Sequence, residues 1–444
     1  MNKSQFPVDF AWGAATSAYQ VEGAAFADGK GPSIWDSFSH TPGKTDGGDH
    51  GDIACDHYHR LETDLDLIAE LGLNAYRFSI SWPRVQPDGK GEWNQSGLDF
   101  YGRLIDGLLK RGIAPHVTLY HWDLPQALQD DGGWNNRATC YRFAEYACKL
   151  AEHFGDRVAA IATHNEPFVA SMLGNLFGIH APGNNDPQLA SQVAHHLLLS
   201  HGLAVQSMRA VTQVPLGIVL NLSPCTAATA SLGDQQDAKR RFDFVGRFFL
   251  DPLLRGAYPE SELLVPLPQM EAGDLELIRL PIDFLGINYY FREWCSTDTP
   301  PIPAPCLQGV SEMGWEVYPE GLYELLTQLE RDYELPPVYI SENGMACADT
   351  VSADGAIHDP RRIAYIEQHL DALSRAMGEG VSVRGYFHWS LMDNFEWAKG
   401  YSMRFGLIHI DYQTQQRTFK DSALWYRDYI QRERFGAKQK EAML

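Results

Sequence analysis

The sequence predicts an α/β fold, a single (β/α)8 TIM barrel with extended βα loops that takes in residues 1–444 as one domain. Three observations predict it. Eight short apolar, β-prone runs alternate with stretches of helical periodicity from end to end. Several runs are apolar at successive residues, as strands covered on both faces are. No G-x-G-x-x-G follows the first run and no G-x-x-x-x-G-K-[ST] occurs, which weighs against the competing architecture, a doubly wound nucleotide-binding sheet.

The candidate strands are VDFAWGA (8–14), NAYRFSI (74–80), IAPHVTL (113–119), VAAIATH (158–164), VPLGIVL (214–220), IDFLGIN (282–288), PVYIS (337–341) and VRGYFHW (383–389). Helices fit between them. Leu61, Leu65, Ile68 and Leu71 share one face, with Gly72 as a stop. Phe143, Ala147, Leu150 and Phe154 repeat at helical spacing before Gly155. Ile363, Ile366, Leu370, Leu373 and Met377 do so before Gly378. These stripes read as core. The Pro-rich TPPIPAPC (299–306) interrupts the sixth unit and reads as a surface loop, because strand–helix alternation resumes beyond it without a change in composition.

Bulk properties exclude several function classes. The formal net charge of −21 opposes a polyanion, so nucleic acid is not expected as a partner. The seven cysteines are odd in number and contain no C-x-x-C, which reads as reduced thiols rather than a disulfide framework. The start, MNKSQFPVDFAWG, lacks a basic region followed by a long apolar stretch, and no run of about 18 apolar residues occurs, so neither a signal peptide nor a membrane span is expected. A cytoplasmic protein is the expectation, with oligomeric state left open. The His-rich stretches AHHLLLSH (194–201) and DHYH (56–59) read as helix and loop histidines, so no metal and no cofactor are expected.

Two stretches, AAIATHNEPF (159–168) and VYISENGMA (338–346), each end a strand-like run on Glu beside Asn, followed by Pro or Gly. In a barrel of this kind all strands open at their C-terminal ends on one face, where catalysis occurs. That face gathers Glu166 and Glu342. Around them, Gln20, Arg77, His121, Trp122, Asn165, Asn221, Asn288, Tyr290, Trp389, Glu396 and Trp397 each end or follow a candidate strand. Two carboxylates facing each other in a polar, aromatic-lined pocket suit glycoside hydrolysis. One acts as an anion and the other carries a proton for the leaving oxygen. Their pKa values must be pushed apart, and Arg77 is a fixed cation able to keep one of them ionised.

The chain resembles family 1 of the glycoside hydrolases, of the β-glucosidase type. The resemblance runs from FAWGAATSAYQVEG (10–23) to WYRDYI (425–430). It rests on THNEP (163–167) and ISENG (340–344), supported by NAYRFSISWPR (74–84), TLYHWDLPQAL (118–128), FLGINYY (284–290) and WSLMDNFEW (389–397). It implies retention, with Glu342 as nucleophile and Glu166 as acid/base. Asn165 would bond the sugar 2-hydroxyl, Arg77 and Tyr290 would hold the nucleophile, and Asn288 would support Tyr290. Gln20, His121, Glu396 and Trp397 match positions that grip the non-reducing sugar, Trp389 its stacking platform and Trp315 the aromatic wall facing the leaving sugar. Trp122, Asn221 and Phe405 complete the expected substrate-binding set. The implied activity releases terminal non-reducing β-D-glucosyl residues from cello-oligosaccharides and from aryl or alkyl β-glucosides, a step in cellulose and other polysaccharide degradation, with a capacity for transglycosylation.

The sequence departs from the family pattern at Phe168 after NEP, Ser341 for Thr, His388 before Trp389, and His409. Phe168 bears on acceptor preference. Two rival readings are a 6-phospho-β-glucosidase and an inactive carbohydrate-binding homologue. The first meets Glu396, Met403 and Phe405 where phosphate-binding members carry Ser, Lys and Tyr, and no cation replaces the missing Lys unless Lys399 swings in. The second is expected to lack one glutamate, and both are present.

Overall fold

The structure, a computed structural model, describes residues 6–261 and 263–435. Eight parallel strands close into a barrel: β1 (Ala11–Ala15), β2 (Ala75–Ser79), β3 (Ala114–Tyr120), β4 (Ala160–Asn165), β5 (Leu216–Asn221), β6 (Phe284–Asn288), β7 (Val338–Asn343) and β8 (Val383–Trp389). Each pairs with its sequence neighbour, and β8 returns to β1 to remove both edges. The eight expected runs are these strands. The first needs correction. It begins at Ala11 rather than Val8, because a turn closed by Phe10 N–H on the Pro7 carbonyl (3.1 Å) precedes it and Val8 is 81% exposed.

Helices Leu61–Glu70, Gln95–Lys110, Ala138–Phe154, Pro187–Arg209, Glu320–Asp332, Pro360–Gly378 and Asp421–Phe435 surround the barrel. Their apolar stripes bury against the strands, each enclosed Leu, Ile or Phe being worth about 1.5–3 kcal/mol. Leu61, Leu65, Ile68 and Leu71 are buried, and Gly72 stops that helix at φ 68°. Phe143, Ala147, Leu150 and Phe154 are buried too, but Gly155 stays helical. It is required for space, since a Cβ there would lie 2.4 Å from the Ala151 carbonyl oxygen. In the third stripe Ile366, Leu370 and Leu373 are buried while Ile363 and Met377 are only partly so. The helix includes Gly378, and the left-handed residue is Gly380 at φ 106°.

The long connections lie at the C-terminal ends of the strands. Residues 299–306 form an exposed connection between β6 and β7, without helix or strand. Cys225–Ala227 and Glu293–Cys295 pair as a small ribbon beyond β5 and β6. The segment after β8 is anchored by a buried lattice of ion pairs. Lys420 holds Asp349 and Asp393 at 2.6 Å each, Arg404 holds Asp393 at 2.6 Å, and Arg362 holds Asp349 at 2.7 Å. That lattice fixes the loop carrying Glu396, Trp397 and Phe405.

Candidate active site

Glu342 stands one residue before the end of β7, and Glu166 is the first residue beyond β4. Both are buried. The Oε1 of Glu342 accepts from Arg77 Nη1 at 2.6 Å and its Oε2 from the Tyr290 hydroxyl at 2.7 Å. Arg77, on β2, also donates through Nη2 to Asn165 Oδ1 at 2.7 Å, through Nη1 to the Ser341 carbonyl at 3.2 Å and through Nε to Thr118 Oγ1 at 3.2 Å. Asn288, at the end of β6, donates to Asn165 Oδ1 (3.1 Å) and to Glu166 Oε1 (2.6 Å), while Ser341 Oγ donates to its Oδ1 (2.8 Å). An unbroken relay therefore runs Glu342–Arg77–Asn165–Asn288–Glu166. The side chain of Asn288 hydrogen-bonds Glu166, Asn165 and Ser341.

These neighbours separate two chemically identical groups. Burial raises both carboxyls. For Glu342 the Arg77 charge and the bonds from Arg77 and Tyr290 pull back toward the anion. For Glu166 the charge of Glu342 adds to burial, and the carboxyl is pushed up to about 8. Glu166 is thus the proton holder of the pair.

Two donors on Asn165 Oδ1 fix its amide orientation, so Nδ2 faces His121 Nε2 at 3.1 Å as donor. His121 is then neutral with its proton on Nδ1, in keeping with burial and Arg77 driving its pKa far down. That Nδ1 is buried without a hydrogen-bond partner. Glu396 is pushed up to about 8 by burial and by the Glu342 charge, with the Trp389 side chain opposing, and its Oε2 has no partner. Asn221 ends β5 opposite Asn288, its Oδ1 also unpartnered. Gln20 is fully buried. Its amide donates to Asn394 Oδ1 and the Phe395 carbonyl, and its oxygen accepts from Ser17.

Aromatic rings gather around these groups. His121 lies nearly parallel to Trp389 (5.9 Å, 18°) and to Trp397 (6.0 Å, 16°), and Trp122 packs on Trp397 at 4.5 Å. Trp315 packs on Tyr290 (5.4 Å) and Phe405 (6.1 Å), in one apolar cluster with Trp389. Phe168 packs instead on Phe244 and Phe249. Arg77, His121, Asn165, Glu166, Asn288, Tyr290 and Glu342 are thus joined by hydrogen bonds, and Trp122, Trp315, Trp389, Trp397 and Phe405 by ring contacts with His121, with Tyr290 or with one another.

The backbone is unusual at the same place. Trp122, Glu166 and Trp397 have φ of 78°, 49° and 53°, left-handed values that cost non-glycine residues about 1–3 kcal/mol each. Register shifts fall at Ala162/Asn165, Ile287/Asn288 and Tyr386/His388, where the ladders loosen just before the site residues.

The structure separates the two Glu–Asn pairs that look alike in sequence. Asn165 faces the site with Glu166, because the left-handed turn at Glu166 brings its side chain back to the same side. Asn343 lies behind Glu342, donating to the Tyr289 carbonyl and Tyr365 hydroxyl and accepting from Tyr386. Sequence reasoning missed Thr118, and treated Ser341 only as a departure, although both orient the relay. Their signal was a hydroxyl inside an otherwise apolar strand. The histidines of the two His-rich stretches are engaged elsewhere: His195 with Asp274 and Tyr258, His201 with Thr163, and His57 with Asp64.

Residues 2–435 match the sequence profile of glycosyl hydrolase family 1. Beta-glucosidase A of Acetivibrio thermocellus is 49% identical over 448 residues, covering 98% of this chain and 100% of the relative. A bifunctional beta-D-glucosidase/beta-D-fucosidase of Bifidobacterium breve is 48% identical over 96% of this chain and 98% of its own length. Among solved structures, the family 1 b-glucosidase of Thermotoga maritima superposes with a TM-score of 0.94 at 46% identity, covering 97% of this chain and 99% of that one. The same enzyme in complex with glucoimidazole also gives 0.94, over 96% and 99%.

Proposed function

This chain belongs to glycosyl hydrolase family 1, and from that premise we propose that it is a retaining β-glucosidase acting on terminal non-reducing β-D-glucosyl residues. One observation carries the assignment of roles: the relay that gives Glu342 a cation and a phenol, and gives Glu166 an amide and a neighbouring negative charge. The Glu342 carboxylate attacks the anomeric carbon as Glu166 gives its proton to the departing glycosidic oxygen. Water then attacks the glycosyl-enzyme, losing a proton to Glu166 and freeing Glu342.

In this reading Asn165, His121, Gln20, Glu396 and Trp397 bind the sugar hydroxyls, and Trp389 lies under its apolar face. Trp122 and Asn221 support that subsite, while Trp315, Tyr290 and Phe405 wall the leaving-group side. Cello-oligosaccharides and aryl or alkyl glucosides are the substrates, with transglycosylation where an acceptor replaces water. We assign residues 1–444 to one catalytic domain. A cytoplasmic location is supported by the seven free cysteines. Among the described residues no helix is long and apolar enough to cross a membrane.

The phospho-glycosidase alternative is disfavoured by charge. A sugar 6-phosphate of about −1.5 to −2 would meet Glu396, a carboxyl that offers it no positive charge and that burial already keeps from ionising readily. The cations of this loop are paired already, Lys399 with Asp46 at 3.3 Å and Arg404 with Asp393 at 2.6 Å. The test compares nitrophenyl β-glucoside, β-fucoside and 6-phospho-β-glucoside on one preparation. The glucoside is turned over and the fucoside, which lacks one hydroxyl to Glu396, falls by a modest factor. The phosphorylated sugar is ignored. A kcat/KM for it equal to or above that of the glucoside overturns the substrate assignment.

A further inference from the structure

His40 caps the C-terminal end of helix Ile34–Ser39, and His50 and Asp52 stand further along, beyond the short helical turn Asp46–Gly48. The imidazoles of His40 and His50 stack at 4.6 Å and 20°. Their ring nitrogens and the Asp52 carboxylate bring their ligating atoms within 4.8 Å of one another. His40 Nδ1 lies 2.6 Å from the Asp36 carbonyl oxygen. A carbonyl only accepts, so Nδ1 carries the hydrogen and Nε2 presents a lone pair in the neutral ring. That Nε2 sits 3.2 Å from Asp52 Oδ2, a second acceptor. Something positive between them is required.

A proton on Nε2 would satisfy that contact, but it leaves the other side unexplained. His50 Nδ1 and Asp52 Oδ1 are 3.3 Å apart, both are closed off from solvent, and neither makes a hydrogen bond. One cation bound by both rings and the carboxylate satisfies all of these atoms. The two nitrogen–carboxylate spacings, 3.2 and 3.3 Å, match ligands at about 2.0–2.1 Å from a tetrahedral zinc ion, which are separated by about 3.3 Å, and the two ring nitrogens lie within 4.8 Å of each other. The carbonyl that fixes the His40 tautomer is the outer partner a ligating histidine normally has.

We propose that His40, His50 and Asp52 form a binding site for a first-row transition-metal dication, Zn²⁺ by its geometry, with water completing the coordination. Two imidazole nitrogens select such ions over Mg²⁺ and Ca²⁺, which take oxygen ligands. The site is separate from the two glutamates and stands whether or not the proposed hydrolysis does. It is a clamp. Gly51 N–H donates to the Tyr19 hydroxyl (3.3 Å), the Tyr401 hydroxyl donates to the His50 carbonyl (2.8 Å), and Tyr19 lies parallel to Trp397 (6.1 Å, 9°). A metal at this turn ties the end of the helix to the loop that backs Trp397.

The test titrates the EDTA-treated full-length protein with ZnCl2 by calorimetry in a non-coordinating buffer, with CaCl2 as the control ion. The proposal expects one tight Zn²⁺ site per chain, no Ca²⁺ binding there, and a zinc-dependent rise in melting temperature. His40→Ala and His50→Gln each weaken that site by more than about tenfold and abolish the rise, while melting unchanged without metal. Co²⁺ gives four-coordinate d–d absorption in the wild type that His50→Gln removes. Absence of a one-to-one site, equal binding of Ca²⁺, or variants that titrate like the wild type overturn the proposal.

Discussion

Glu166 and Glu342 are the same side chain in one cavity, and their neighbours alone set their chemistry. We expect Glu342→Ala to lose nearly all turnover and to be rescued by azide with inversion. Rescue with retention, measured on the glycosyl azide by NMR, would exchange the two roles. Glu166→Ala should lose far more activity on poor leaving groups than on good ones, since only the former need its proton. The pH dependence has a definite sign. Activity needs Glu166 protonated, so kcat/KM falls as pH rises through about 8. In Glu342→Gln the neighbouring charge is gone and burial remains, so the Glu166 pKa moves down. A carboxyl titration by NMR or infrared spectroscopy that finds Glu166 unmoved would leave burial as its sole cause.

Strand ends and the loops that follow them carry the next level of constraint. The glycine of ISENG is explained by the strand beside it: a Cβ at Gly344 would lie 1.8 Å from the Trp389 carbonyl oxygen. Gly344→Ala therefore forces β7 and β8 apart where Glu342 and Trp389 stand. Overpacking of this kind costs about 1–3 kcal/mol, and displaced catalytic groups lose rate besides. Denaturant unfolding and kcat should both fall; wild-type values for either would show that the strands yield elsewhere. The loop after β8 depends on Lys420, which is fully buried between Asp349 and Asp393. Lys420→Met leaves both carboxylates short of a cation, and breaking a buried pair in this way costs about 3–5 kcal/mol. The expected result is a large loss of melting temperature with the site residues untouched.

Across the whole molecule, buried titratable groups oppose one another. His116 is held neutral down to about 4, His180, His201, His369 and His388 down to about 3, and His121 and His164 likewise far below the usual range, all by burial. Asp123, Glu166 and Glu396 are pushed up to about 8, with Glu342 raised beside them. Below about pH 6.5 the unfolded chain protonates these histidines and the folded one does not, so their effect is a stability that rises with pH. Above about pH 4.5 the unfolded chain ionises Asp123, Glu166 and Glu396 while the folded one keeps their protons, so theirs is a stability that falls with pH. Seven histidines outweigh three carboxyls up to about 6.5, and beyond it only the carboxyls act. The melting temperature should peak near neutrality on the acid side and decline toward pH 8. A melting temperature that climbs steadily through pH 8 would contradict this balance.

The sequence by itself determined the eight strands, the helices between them and the two glutamates at the strand ends. Each of these is written in neighbouring residues: apolar runs for strands, spacing of three or four for helices, Glu followed by Pro or by Asn-Gly for the exits. It could not say where a strand starts beside a proline turn, as Val8 shows, nor that Gly155 is needed for space rather than for φ. Tertiary structure alone decided which carboxyl holds the proton, because the cation on Glu342 comes from a residue 265 positions away and reaches Asn165 across another 88. It also decided that Asn165 joins the relay while Asn343 braces the barrel wall. Alternation along a strand assigns faces, but a single left-handed residue at Glu166 reverses that assignment. His40, His50 and Asp52 meet for the same reason. Electrostatic and coordination energies depend on distance in space, and the local pattern that folds a chain carries no record of that distance.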